Sequence, residues 1–94
     1  MLDISDCPEL AEIVQMFVDE MPGRIKKIVN ECRVHDWEKL GQSAHQLKGS
    51  AGSYGFQDIS PAAGIVEDLV RNHSSEEEIR EAVEYLVSLC ERTR

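Results

Sequence analysis

The stretch WEKLGQSAHQLKGSAGSY, residues 37–54, places apolar residues at Leu40, Ala44, Leu47, Ala51 and Tyr54. Their steps of 4, 3, 4 and 3 are those of one face of an α-helix. The same stretch holds Gly41, Gly49 and Gly52. In a helix interior each glycine costs about 1 kcal/mol against alanine, so the three together cost about 2–3 kcal/mol. They are not scattered. At about 100° per residue, His45 points away from the apolar seam. Gly41, Lys48, Gly49 and Gly52 share its side, at i−4, i+3, i+4 and i+7. Helix propensity broken this systematically around one side chain marks a functional position. Without neighbouring side chains, the imidazole projects and another surface can reach it. The competing explanation is that the glycines let a neighbouring helix pack closely. Lys48 and Gln42 on the same side favour an exposed surface.

Further helices flank this one. Asp6 followed by Glu9 resembles a capping box, with Pro8 in the first turn. Leu10, Ile13, Val14, Phe17, Val18 and Met21 then recur at helical spacing. Pro22 and Gly23 interrupt that run. Ile25, Ile28, Val29 and Cys32 form the next stripe. Asp36 suits the N-cap of the His45 helix, and Gly55 suits its C′ position. Ile59, Ala62, Ala63, Val66, Leu69 and Val70 make another helix, with Pro61 in its first turn. Ser75 and Glu78 form a capping box ahead of Ile79, Ala82, Val83, Leu86, Leu89 and Cys90. No segment alternates strictly enough for a strand. Short connections make successive helices antiparallel. The expectation is an all-α, antiparallel up-and-down four-helix bundle in one domain spanning residues 1–94. The Pro8–Met21 helix is expected as an additional N-terminal element.

The chain has 94 residues and a formal net charge of −8, which argues against nucleic acid and anionic membranes as partners. It has no apolar run of bilayer-spanning length, and MLDISDCPEL lacks the basic and apolar regions of a signal peptide. A cytoplasmic location is expected. Cys7, Cys32 and Cys90 contain no C-x-x-C and read as reduced thiols, with Cys32 and Cys90 packed in helices. Cys32 and His35, at i and i+3, could supply half a zinc site, but no second pair answers them.

The chemistry available at His45 is nucleophilic. Imidazole is largely unprotonated near neutral pH, and Lys48 one turn away can stabilise phosphoryl oxygens. KGSAGSYG is not a Walker loop. Ser50 and Ser53 lie away from His45 or at the edge of its face, so a Ser–His hydrolytic pair is poorly supported.

AHQLKGSAGSYGF resembles the signature of histidine-containing phosphotransfer (HPt) domains, roughly H-x-L-K-G-S with a glycine ten residues after the histidine. The matching residues are His45, Leu47, Lys48, Gly49, Ser50 and Gly55. ISPAAGIVED, residues 59–68, resembles the second helix of the family's hairpin. The resemblance implies that His45 accepts a phosphoryl group from a receiver-domain aspartate and passes it to another, with Lys48 beside the phosphate. Glu67 falls where the family has a Gln or Glu that hydrogen-bonds the imidazole. A glutamate there, together with GSAGSYGF, is similar to the phosphotransfer domain of chemotaxis-type kinases, whose phosphate comes from an ATP-binding kinase domain. The partners implied are response-regulator receivers, a histidine kinase, or both, docking over Gly41, Gln42, Gly49 and Gly52. No cofactor is expected, no kinase site of its own, and a monomeric chain. Two other readings compete. One is an interaction module whose histidine stays unmodified. The other is a small metal-binding protein using Cys32, His35, His73 and Cys90.

Overall fold

A computed structural model describes residues 8–93, with side chains from Ala11 onward. Asp6 and Cys7 lie outside the described residues, as does the side chain of Glu9, and with them the proposed Asp6–Glu9 capping pair. Four helices follow one another: α1 (Pro8–Arg33), α2 (Trp37–Ser53), α3 (Ile59–Arg71) and α4 (Glu76–Thr93). No strand occurs among the described residues. Among them, too, no helix is long and apolar enough to cross a membrane.

The helices form a ring in which α1 meets α2 and α4, and α3 meets α2 and α4. Each contributes a stripe to one core. The most deeply buried large side chains are Met21 from α1, Leu40 and Leu47 from α2, Ile59 and Val66 from α3, and Leu86 and Cys90 from α4. Ala44, Ala51 and Ala63 are also fully buried, and such small side chains let neighbouring helices approach closely. Phe17 closes one end of the bundle against Tyr54 and Phe56, at centroid distances of 5.3 and 5.2 Å. Burial pushes the Cys90 thiol up to about 11, helped by the negative charges of Asp58 and Glu91. Cys32 is raised as well, chiefly by burial.

The expected additional N-terminal helix is not a separate element. Residues 8–33 make one helix that runs through Pro22 and Gly23. Phe17, Met21, Ile25, Ile28 and Cys32 step by 4, 4, 3 and 4, and all five are buried or half-buried in the core. The stripe therefore stays in phase across the proline, and a break would turn one half of it out of the core. Pro22 and Gly23 are both exposed. The carbonyl that loses its i+4 donor at Pro22 can thus be met by water.

Three of the four helices end the same way. At the end of α2 the amide of Gly55 donates to Gly52 O and that of Phe56 to Ala51 O, with Gly55 at φ +84°. These two bonds make a Schellman motif, and Gly55 is its C′ residue as the sequence suggests. The same pair of bonds closes α1 at His35 (φ 61°) and α3 at His73 (φ 54°). Two of the three histidines are therefore helix terminators in left-handed backbone. His35 also stacks on Trp37 at 5.1 Å and hydrogen-bonds Glu76 at 2.7 Å, which ties the α1–α2 connection to the start of α4.

Candidate functional site

The site lies where α2 and α3 run side by side. Gly41 faces Val70, His45 meets Glu67, Lys48 lies over Gly64 and Gly52 faces Ser60. Positions rise along α2 as they fall along α3, so α3 returns antiparallel to its predecessor. Capping fixes where α2 begins: the Asp36 carboxylate accepts from the amide of Lys39 at 3.3 Å. A hydroxyl ties the two helices together, as Ser60 Oγ donates to the Lys48 carbonyl at 2.9 Å.

The side chain of His45 is 69% exposed, whereas that of Glu67 is only 9% exposed. His45 Nδ1 lies 2.8 Å from Glu67 Oε2. With Glu67 ionised, Nδ1 carries the hydrogen and donates, and Nε2 keeps its lone pair. Two cations share the same carboxylate. Lys48 Nζ lies 3.6 Å from Oε1, and Arg71 Nη2 donates to Oε2 at 3.0 Å. Arg71 Nη1 also lies 3.6 Å from Asp68. Burial alone raises the pKa of Glu67. The hydrogen bond from His45 and the charges of His45, Lys48 and Arg71 outweigh it, so Glu67 titrates below its ordinary value. The anionic form is thus the one the site favours.

The glycines divide into two kinds. A Cβ on Gly49 would meet nothing within 4 Å. That position is open, as expected of an approach route to His45. A Cβ on Gly41 would sit 3.4 Å from Val70, and one on Gly52 would come within 3.2 Å of Ser60 Oγ. These two positions face α3, so the packing explanation applies to them. The open face is therefore narrower than the helical wheel implies. Gly64 is a further glycine of this kind, because the Lys48 stem passes 3.5 Å from where its Cβ would stand. Gln42 is exposed beside His45, on a groove of about 470 Å³ that Trp37, Val70 and Arg71 also line.

The residues of the metal-binding reading do not converge. Cys32 and Cys90 are buried free thiols, and His35 is turned to Glu76 and Trp37. Among the described residues, no three His, Cys, Asp or Glu side chains gather as ligands. Arg71, by contrast, sits at the centre of the site and was not identified from the sequence. Its one sequence signal is its i+4 spacing from Glu67, which on a helix surface ordinarily marks a solvated ion pair.

No curated protein and no solved structure gives a significant match to the chain. The family model described as Hpt domain matches residues 12–94, which takes in all of α2, α3 and α4 and most of α1. With four helices matched almost end to end, and an exposed histidine seated on a buried carboxylate between two of them, this chain is a member of the Hpt domain family, the phosphotransfer domains of two-component phosphorelays.

Proposed function

We propose that His45 is the phosphorylated residue and that the chain carries a phosphoryl group to or from the aspartate of a response-regulator receiver domain. One observation carries this reading. The Nδ1 edge of an exposed imidazole is bound to a buried carboxylate at 2.8 Å, leaving Nε2 to attack. In the forward step the Nε2 lone pair forms an N–P bond to the phosphoryl group of an aspartyl phosphate. The P–O bond to the donor breaks, and its electron pair leaves on the donor carboxylate. The ring becomes cationic, keeps its hydrogen at Nδ1, and is stabilised by the Glu67 carboxylate. In the return step a receiver carboxylate oxygen attacks phosphorus, and the N–P electrons go back to Nε2.

Lys48 supplies a positive charge beside the phosphoryl oxygens as charge spreads over them. Open space at Gly49 gives a receiver's loops room to approach, and Gln42 lies at the margin of that approach. The chain works as a carrier without a nucleotide site of its own, as an up-and-down antiparallel bundle and a monomer. Incubation with a phosphorylated receiver tests the reading. Label should appear on the protein, be lost in acid and persist in base, and be absent from His45→Gln while the helical fold is kept. Label that survives acid, or that persists in His45→Gln, contradicts it.

A further inference from the structure

Three donors surround the two oxygens of Glu67. His45 Nδ1 and Arg71 Nη2 both bond Oε2, at 2.8 and 3.0 Å. Oε1 is buried and has no hydrogen-bond partner, and Lys48 Nζ stands off at 3.6 Å. Rotamer preference alone does not hold this arrangement. The terminal torsion of a glutamate is broad, so its carboxylate plane is set by whatever bonds it. A small turn toward Lys48 would tighten this loose ion pair into a direct hydrogen bond at Oε1 and draw Oε2 off the ring. Arg71 opposes that turn. The other end of its planar fork lies in the field of Asp68, 3.6 Å from Nη1, a looser ion pair that biases the guanidinium toward this side of α3. It sits one turn along α3 from Glu67, within reach without distortion. With its side chain 67% exposed, Arg71 adds little to stability.

We propose that Arg71 is a positioning residue of the site, holding Glu67 Oε2 on His45 Nδ1 and keeping the Lys48 ammonium in a loose ion pair rather than a direct hydrogen bond to that carboxylate. Its kinetic consequence rests on the phosphocarrier reading above, but its geometric consequence does not. Arg71 does two things through one oxygen. It keeps the ring in the tautomer whose Nε2 lone pair faces solvent. It also stops Glu67 from capturing the cation that the phosphoryl oxygens need.

The tautomer is read by ¹⁵N shifts of the His45 ring in the neutral imidazole, with melting temperatures measured alongside. The wild-type ring should be mainly Nδ1–H. Arg71→Ala should move it toward Nε2–H with little change in melting temperature. Arg71→Lys should restore it in part, because an ammonium returns the charge without the fork. Asp68→Asn should give a smaller shift in the same direction. Phosphorylation by phosphoramidate, a small donor that needs no docking, should slow several-fold in Arg71→Ala, in proportion to the lost Nδ1–H population. An Arg71→Ala ring spectrum identical to wild type overturns the proposal. So does slowed transfer from a receiver with the ring unchanged, which would make Arg71 a docking residue. If the wild-type protein takes no phosphoryl group at all, the carrier reading falls, and the ring spectra still decide the role of Arg71.

Discussion

The Glu67 carboxyl is where local electrostatics and function meet. Its ordinary pKa is 4.5, and the folded protein holds it lower, because the hydrogen bond from His45 and the nearby cations outweigh the burial that raises it. A depressed acid adds stability that is fully present above its unfolded value and is lost as pH falls through the folded one. Glu67→Gln should therefore melt below wild type at pH 7. That gap should close as the pH drops below about 4.5 and the wild-type carboxylate protonates. Parallel melting curves across that range would mean that the ionised form gains nothing from its neighbours. His45 and Lys48 could be found from the sequence because glycines and an apolar seam single out their side of the helix. The role of Glu67 as acceptor for the ring comes only through the family resemblance, since nothing in its local spacing separates it from an ordinary helix charge. Arg71 was hidden for the same reason.

Helix spacing carries the elements well and their interruptions poorly. Asp36, Gly55 and the Ser75–Glu78 pair act as expected at helix ends: Ser75 Oγ accepts from the Glu78 amide at 3.2 Å. Pro22 reads as a break on local propensity, and the phase of the continuous stripe from Phe17 to Cys32 overrides it. Pro22→Ala should thus stabilise the protein, by up to about 3 kcal/mol, as it restores the missing helix hydrogen bond. A destabilised Pro22→Ala would show that the continuous α1 depends on the proline ring. The glycines of α2 misled in the other direction, because a helical wheel gives the side a residue faces but not what stands there. Gly49→Leu should keep or raise the melting temperature and strongly reduce transfer from receivers, while a small phosphodonor still labels His45. Gly52→Leu should instead lower the melting temperature, because its Cβ would press on Ser60, whose hydroxyl holds the Lys48 carbonyl. If both variants behave alike, the division of the glycines is wrong.

Across the described residues, the four helices share one core, and the His45–Glu67 pair sits on its α2–α3 side. The α2–α3 pair carries the entire site, and α1 and α4 complete the core that fixes it. The stripes of all four helices are visible in the sequence because burial on one side imposes their period. Which faces meet was not visible, since many helix pairings satisfy the same stripes. The proposed chemistry turns on one atom, Nε2 of His45. Its most direct measurement is ³¹P and ¹⁵N NMR of the ¹⁵N-labelled protein after phosphorylation by phosphoramidate. A single N–P bond at Nε2 of His45 is the result expected, with Nδ1 still carrying its hydrogen toward Glu67. A phosphoryl group on Nδ1, on His35 or His73, or on no histidine would contradict it.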